Sequence, residues 1–506
     1  MVAKREGAAV FAAAAVVAVA ACQPGPGPGM PNQTAPPPQV SRAPASPPAR
    51  ICGNTSALNG PASPPAGAIV VPAGDNTNVD FSRAGRTYWF APGVHTLGSG
   101  EFNQIIPADN STFIGGPGAV LDGRDLNQYA FTQQARNVRI AHLTIRNFGR
   151  GPAANHQQGV VNHDAGDNWV IERNTVIAND GAGVFVGDGN VVRYNCLKDN
   201  GQYGFSAYEP DGVVNVTIDH NEVTGNNKDD WESRIDGCGC SGGAKFWETN
   251  GARATNNWVH GNNGPGLWAD FNNRAFLFEG NYFEANLDEA LFYEVSYNAT
   301  IRYNTFKRNT LHKGQAFAAD GNNFPVAAVY ISEAGGDARV AGPPIIDIHS
   351  NVFEDNWSGV TVWENADRFC GNGATPGCTL VNRGATQATC RQPGIASRPL
   401  YDDCRWKSNN VQVHHNVFRV TPSNIGCSNY YCSRQAVLSN YGTWPSFSPY
   451  RAESVQNAIT FNQSNRFFAN TYIGPWRFMP FDTGRVLTFN QWRAAPYSQD
   501  GYSSIS

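Results

Sequence analysis

Short runs that alternate apolar and polar residues recur through most of the chain, with turn residues between them. The runs 216–219, 299–302 and 346–349 alternate strictly, and the second residue after each is an asparagine. A period of two is the signature of a β-strand that buries one face. No segment keeps the helical period of 3.6 residues over three turns. The pattern therefore predicts an all-β protein.

The asparagines themselves repeat. Seven segments share the pattern Asn-x-apolar-x-x-Asn: Asn174–Asn179, Asn195–Asn200, Asn257–Asn262, Asn281–Asn286, Asn304–Asn309, Asn351–Asn356 and Asn465–Asn470. An asparagine amide is both donor and acceptor, so equivalent asparagines in stacked coils can hydrogen-bond to one another. We expect one such ladder, formed by the asparagines at positions 174, 195, 221, 257, 281, 304, 351, 416 and 465. Short intervals between successive ladder asparagines indicate solenoid coils without insertions, and long intervals indicate coils that carry inserted loops.

The first residues predict export. Lys4 and Arg5 precede an apolar run that ends at Cys22 and is shorter than the roughly 20 residues of a membrane span. Residues 1–22 fit a lipoprotein-type signal, with Cys22 as the lipidated residue that would anchor the chain to a membrane of the cell envelope. The alternative is ordinary cleavage and secretion. Residues 23–50, rich in Pro, Gly and Ala, predict a tether.

Cysteine number and charge narrow the options further. Ten cysteines remain after Cys22, an even number that favours disulfides in an exported chain. The pair Cys238 and Cys240 could instead suggest zinc, but no second closely spaced pair of cysteines or histidines lies nearby. A net charge of -4 offers no overall basic field for nucleic acid, so we expect no nucleic-acid partner. We expect a monomer.

Glycine-rich phrases point to a known fold. The segments 113–123, 200–204 and 263–266 resemble the right-handed parallel β-helix superfamily, which includes pectate lyases and polygalacturonases, and the resemblance covers about residues 69–474. More narrowly, segments 242–246 and 266–270 resemble bacterial lipoproteins known only as β-helix repeat proteins. The resemblance implies an all-β, right-handed parallel β-helix solenoid with loop insertions. We assign it to residues 51–475, with a short helical cap over the last coil in residues 476–506.

Aligning the strands that follow each asparagine turn predicts two columns of side chains pointing outward from one sheet. The first column contains Phe185, Ser206, Lys245, Trp268, Phe292, Tyr330 and Thr361. The second contains Gly187, Tyr208, Trp247, Asp270, Glu294, Ser332 and Trp363.

Aromatic rings in these columns suit the apolar faces of sugars. The predicted sugar-binding residues are Tyr208, Trp247, Trp268, Phe292, Tyr330 and Trp363. Asn272, Asn273 and Arg274, at the end of one strand, either contact sugar hydroxyls or cap the turn. The alternative for the whole face is that an inserted loop covers it, and the segment that contains residues 229–234 is long enough to do so.

Asp270 and Glu294 are predicted to lie abreast on neighbouring strands, about 4.8 Å apart, where each affects the ionisation of the other and one holds a proton at neutral pH. In a glycoside hydrolase, one carboxyl would protonate the glycosidic oxygen, and the other would act as nucleophile or activate water. The spacing suits the retaining geometry, but side-chain rotamers leave the stereochemistry open. This reading requires no cofactor.

Two other functions fit the same residues. In a uronate lyase, Asp270 and Glu294, with Asp288 or Glu289, would hold calcium while Lys245 removes a proton. The signatures of pectate lyases and the paired aspartates of polygalacturonases are not evident in the chain. A non-catalytic glycan-binding or adhesive envelope protein is the third reading. The leading prediction is an exported hydrolase of an extracellular polysaccharide.

Overall fold

The protein is described here by a computed structural model that covers residues 42–149, 159–235, 237–372, 377–382, 384–427 and 431–506. Three parallel sheets are stacked along the solenoid: the first coils alternate between sheets 1 and 2, and from Gly159 onward the coils contribute in turn to sheet 3, sheet 1 and sheet 2. Parallel strands joined in this way are almost always connected with a right-handed crossover. The predicted parallel β-helix is confirmed.

Sheet 1 has 15 strands. They are β1 (Ile69–Val71), β3 (Thr87–Phe90), β5 (Thr112–Gly115), β7 (Arg139–Ala141), β10 (Val170–Glu172), β13 (Val191–Arg193), β16 (Val213–Val214), β17 (Thr217–Asp219), β20 (Thr249–Asn250), β21 (Arg253–Thr255), β24 (Arg274–Glu279), β27 (Tyr297–Arg302), β30 (Ile346–His349), β33 (Val411–His414) and β36 (Arg466–Phe468).

Sheet 2 has 14 strands. They are β2 (Gly74–Asp75), β4 (Gly93–Thr96), β6 (Ala119–Asp122), β8 (Thr144–Arg146), β11 (Thr175–Ile177), β14 (Cys196–Lys198), β18 (Glu222–Thr224), β22 (Trp258–His260), β25 (Tyr282–Glu284), β28 (Thr305–Lys307), β31 (Val352–Glu354), β34 (Val417–Arg419), β37 (Thr471–Ile473) and β39 (Ser504–Ile505).

Sheet 3 carries the predicted site and has 10 strands. They are β9 (Gly159–Val161), β12 (Ala182–Val186), β15 (Phe205–Ala207), β19 (Ala244–Trp247), β23 (Leu267–Asp270), β26 (Leu291–Glu294), β29 (Val329–Ser332), β32 (Val360–Glu364), β35 (Arg434–Ser439) and β38 (Arg477–Phe481). The helices are α1 (Thr55–Leu58), α2 (Trp231–Arg234), α3 (Leu311–Ala319), α4 (Leu400–Asp403), α5 (Glu453–Phe461) and α6 (Phe489–Arg493).

The core is built from like residues stacked on successive rungs. Phe283, Phe306, Phe353 and Phe418 of sheet 2 stack with ring centroids 5.0, 4.7 and 4.5 Å apart. The rung spacing of a parallel sheet is about the distance at which offset aromatic rings attract. Each coil therefore buries its inward face only against its neighbours, as expected of a solenoid.

The asparagines form two ladders rather than the single ladder that the sequence predicted. The first runs along the corner between sheets 1 and 2, through Asn174, Asn195, Asn221, Asn257, Asn281, Asn304, Asn351, Asn416 and Asn470. The second runs between sheets 2 and 3, through Asn179, Asn200, Asn226, Asn262, Asn286, Asn309 and Asn356. The prediction for Asn465 is wrong, because the second asparagine of that last pattern, Asn470, continues the first ladder.

Five disulfides connect the ten cysteines, which confirms disulfides over zinc at Cys238 and Cys240. They are Cys52–Cys196, Cys238–Cys240, Cys370–Cys378, Cys390–Cys404 and Cys427–Cys432. The first joins the N-terminal segment to the outside of the solenoid.

At the C-terminus, the predicted short helix is present as α6, which begins with a capping box between Thr488 and Gln491. Strand β38 still belongs to sheet 3, so the solenoid extends into the segment 476–506 that we assigned to the cap. Helices α3 and α5, of nine residues each, lie in insertions that the repeat pattern did not reveal.

The structure describes only part of the N-terminal region for which the sequence made predictions. The signal 1–22, the lipidation site Cys22 and the tether up to residue 41 lie outside the described residues. The end of the tether already packs on the solenoid, where Thr305 Oγ1 donates to the carbonyl oxygen of Pro44 at 2.6 Å. In the part of the chain that the structure describes, no helix has the length and apolar character needed to cross a membrane.

Candidate functional site

The register of sheet 3 is the one that the sequence predicted. Lys245 lies opposite Trp268, Trp268 opposite Phe292, and Phe292 opposite Tyr330. Strands β23 and β26 are hydrogen-bonded neighbours that end at Asp270 and at Glu294, so no rung separates the two acids.

The first column forms a continuous stack. The ring of Trp268 lies 5.0 Å from that of Phe292 at an angle of 14°, and the ring of Phe292 lies 4.8 Å from that of Tyr330 at 23°. The Lys245 ammonium extends the stack, because its Nζ lies 4.2 Å from the centroid of the Trp268 ring. We call Trp268, Phe292 and Tyr330 the aromatic stripe.

Contrary to the expectation of an open groove, inserted loops cover part of this face. Trp268, Asp270 and Glu294 each expose only 8% of their surface. The loop closed by the disulfide Cys238–Cys240 lies on the stripe, and a methyl group added at Gly239 would stand 3.1 Å from Trp268 Cη2. The covering loop was the alternative that the sequence offered, and it applies to this end of the stripe.

A second insertion covers the other end. Phe324, which follows helix α3, packs edge-on against Tyr330 and Trp363 with centroid distances of 5.8 and 5.5 Å. Trp247 packs on Phe271 at 5.0 Å. Among the six predicted sugar-binding aromatics, Tyr208 alone exposes more than a third of its surface, at 43%.

Asn272 and Asn273, two of the residues predicted to contact sugar hydroxyls or cap the turn after Asp270, belong to the turn. Asn273 is fully buried, donates from Nδ2 to the backbone oxygen of Asp270 at 2.7 Å and accepts from the backbone N–H of Thr249 at 2.9 Å. Asn272 is also buried and holds the left-handed backbone, with a φ of 57°. Because neither side chain is exposed enough to contact a sugar, both act as turn residues and not as sugar-binding residues. Arg274 is half-buried at the start of β24.

Asp270 forms an ion pair with Lys245, whose Nζ lies 2.9 Å from Oδ2. The same ammonium donates to the backbone oxygen of Gly239 in the covering loop. Lys245 thus connects the acid, the loop and the aromatic stripe. The side chain of Asp270 keeps 11% of its surface exposed.

Glu294 is held by two donors of different kinds. Trp268 Nε1 donates to Oε2 at 3.1 Å, and the Arg368 guanidinium pairs with Oε1. Burial raises the pKa of the Glu294 carboxyl to about 7, an effect that Arg368 opposes and that the charges of Asp270 and Glu333 increase. A carboxylic acid in this position can hold or deliver a proton near neutral pH.

Sequence reasoning missed Arg368, and it interpreted Glu333 as groove rim or, more simply, as a solvated edge of the sheet. Arg368 bridges the two acids, with Nη1 3.2 Å from Glu333 Oε2, and Glu333 also accepts from Ser332 Oγ at 2.7 Å. Arg368 lies in the long insertion between Asn351 and Asn416, which carries no repeat phase that would assign it to a rung. Glu333 directly follows a predicted outward position, Ser332, and the structure buries it beside Arg368 instead of leaving it at a solvated edge.

The acids proposed as calcium ligands are already paired with cations. Asp270 and Glu294 contact Lys245 and Arg368, and Glu289 lies 3.0 Å from Lys313 Nζ. Over the described ranges, no cluster of three or more His, Cys, Asp or Glu side chains has the geometry of a metal site. Calcium, which prefers a cage of oxygens, would have to displace these cationic partners.

The comparisons with known proteins agree with this architecture. The family model described as "Right handed beta helix region" matches residues 108–229 and 161–333. No curated protein sequence matches the chain.

Several solved structures are similar to this chain at very low identity. The A-module of mannuronan C-5 epimerase AlgE6 from Azotobacter vinelandii is 10% identical, covers 87% of this chain and 88% of its own, and has a TM-score of 0.39. The Agl-KA catalytic domain is 9% identical, with 88% and 69% covered and a TM-score of 0.44. A mutant tailspike protein of E. coli bacteriophage HK620, in complex with a pentasaccharide, is 11% identical, with 83% and 73% covered and a TM-score of 0.30. The three stacked parallel sheets show that this chain has a right-handed parallel β-helix fold, and the family model matches it within residues 108–333.

Proposed function

We propose that this protein is a carbohydrate-active enzyme that hydrolyses a polysaccharide, with Glu294 as the general acid and Asp270 as its partner carboxylate. The observation that carries the proposal is the position of two acids on adjoining rungs in different environments. Glu294 is buried with a pKa of about 7, and Asp270 is ion-paired with Lys245. In glycoside hydrolases, a carboxyl group with a raised pKa usually acts as the acid, and an ionised carboxylate acts as the nucleophile or the base.

In this mechanism Glu294 donates its proton to the glycosidic oxygen as the bond to the anomeric carbon breaks. Asp270 acts on the opposite side of that carbon, either as nucleophile or as the base that takes a proton from the attacking water. Lys245 holds the Asp270 carboxylate in place, and Arg368 and Trp268 orient the Glu294 carboxyl. The aromatic stripe lies beside the acids, and because its ring faces stack on one another, its ring edges are what it presents to a sugar.

The contacts of Lys245 favour hydrolysis over a lyase reaction. An amine that removes a proton must be neutral, whereas Lys245 Nζ donates to a backbone oxygen and pairs with a carboxylate. These are the contacts of an ammonium ion. We further propose that the enzyme is exported and held at a membrane by lipid on Cys22, where polymeric sugars outside the cell would be its substrates.

The proposal is tested with the chain lacking residues 1–41, incubated with a panel of soluble polysaccharides that includes alginate, polygalacturonate, xylan and dextran. Hydrolysis predicts new reducing ends without ultraviolet absorbance, with or without a calcium chelator. Products that absorb ultraviolet light and form only when calcium is present would show that the enzyme is a lyase and not a hydrolase. Binding without any cleavage would make the chain a glycan-binding protein.

Arg368 and Glu333 are expected to shift the pH dependence of cleavage in opposite directions. Because Glu294 must be protonated to act as an acid, activity should fall as the pH rises through about 7. Removing the cation in Arg368→Met raises the pKa of Glu294 and moves this fall to higher pH, whereas Glu333→Gln removes a like charge and moves it to lower pH. Profiles of kcat against pH measure both shifts, and displacement in the same direction would contradict the assigned acid.

A further inference from the structure

A loop at the C-terminal end of sheet 3 presents an unpacked tryptophan. Trp444 lies between β35 and α5 and exposes 54% of its surface, and its neighbours Tyr441 and Phe447 expose 44% and 43%. Across the residues that the structure describes, the indole of Trp444 has neither a ring contact nor a hydrogen bond. Burying a side chain of this size would stabilise it by about 2 kcal/mol, so its exposure suggests that a binding partner covers it.

The loop is nevertheless firmly held. Asp367 Oδ1 accepts from the backbone N–H groups of Thr443 and Trp444 at 2.7 and 3.1 Å, and Oδ2 accepts from Thr443 Oγ1 at 3.2 Å. Asn440 bonds to the same segment, since its Oδ1 accepts from the backbone N–H of Ala366 at 2.6 Å. A ring presented by a fixed loop loses little conformational freedom when it binds a ligand.

The same segment leads directly to the acid. Asp367 is followed by Arg368, whose guanidinium pairs with Glu294. The reach of one aspartate and one arginine side chain places the backbone of Trp444 within about 20 Å of the Glu294 carboxyl. At the opposite end of the outward column lies Tyr208, which exposes 43% of its surface. Exposed rings therefore flank the acid pair on both sides along the axis of the solenoid.

We propose that Trp444 is a distal sugar-binding platform, on which a linear polysaccharide stacks one ring several units away from the bond held at Glu294. The occupant is the polysaccharide of the proposed function, on which this inference rests. It accounts for the exposure of the indole, for the rigidity of its loop and for the hydrogen bonds that tie this loop to the segment carrying Arg368. The flat indole suits the C–H face of a sugar ring.

The test compares Trp444→Ala with Trp444→Phe and with Tyr502→Ala, a control that removes an aromatic 73% exposed at the end of sheet 2. The probes are oligosaccharides of graded length prepared from whichever panel polysaccharide the wild type cleaves. For long chains, Trp444→Ala should raise KM about 3- to 10-fold with kcat unchanged, and for the shortest cleaved chain it should change neither. Trp444→Phe should retain part of the affinity, and Tyr502→Ala should match the wild type.

An unchanged KM at every length, or an equal rise at every length, would overturn the platform while leaving the proposed function intact. If the wild type neither binds nor cleaves any polysaccharide of the panel, the proposed function fails and the platform fails with it. Since Trp444 is exposed, circular dichroism of all three variants should superpose on that of the wild type.

Discussion

Replacing Glu294 with glutamine is expected to lower kcat by about 10²- to 10⁴-fold, the usual contribution of a general acid. Glutamine keeps the size of the side chain and an oxygen for Arg368, but it has no proton to deliver to the leaving oxygen. KM should change little, because the substitution removes none of the aromatic rings that we propose as sugar contacts.

The matched control is Glu354→Gln on sheet 2, which removes a carboxyl 2.9 Å from Lys307 on another face of the solenoid. It should retain wild-type kcat and KM. Reducing ends released per minute are measured for both variants on the same polysaccharide. A Glu294→Gln enzyme within threefold of the wild type would remove Glu294 from the reaction.

Replacing Asn281 with alanine is expected to lower the free energy of unfolding by about 2–5 kcal/mol. Asn281 is fully buried, accepts from the backbone N–H of Asn257 at 3.0 Å, and donates to the backbone oxygen of Ala254 and to Asn304 Oδ1, both at 2.9 Å. Alanine would leave the backbone N–H of Asn257 buried without an acceptor and would break the ladder between Asn257 and Asn304.

Urea denaturation followed by circular dichroism measures this loss as a shift in the midpoint at constant slope. Asn457→Ala in helix α5 is the control, because its side chain only reaches Glu453 at the surface, and it should stay within about 0.5 kcal/mol of the wild type. Equal stability of the two variants would show that the ladder does not hold the coils together.

The rungs of the solenoid could be predicted because local patterns determine them. Alternation separates inward from outward side chains, and the asparagine turn fixes where each strand begins. These two signals placed Lys245 opposite Trp268 and brought Asp270 next to Glu294. The prediction for the last coil was wrong, because Asn470 and not Asn465 continues the ladder. Both asparagines fit the repeat pattern, and the alternating strands that distinguish such positions in other coils are weak there.

The cover over the site could not be predicted in the same way. Gly239 reaches Trp268 and Arg368 reaches Glu294 from insertions, whose positions depend on tertiary contacts rather than on any repeat. Burial by these insertions turns the expected open groove into a partly closed site, and burial is also the main cause of the raised pKa of Glu294. The strand register therefore suggested that Asp270 and Glu294 lie side by side, but the loops that bury them determine their ionisation.

The central claim is that Glu294 is a buried acid that holds its proton near neutral pH beside the ion-paired Asp270. Carbon-13 NMR of protein labelled at glutamate carboxyl groups, recorded from pH 4 to pH 9, follows this proton directly, and Glu294→Gln identifies the resonance. We expect its midpoint near pH 7. A midpoint near 4.5, the ordinary value for glutamate, would contradict the assignment of Glu294 as the acid.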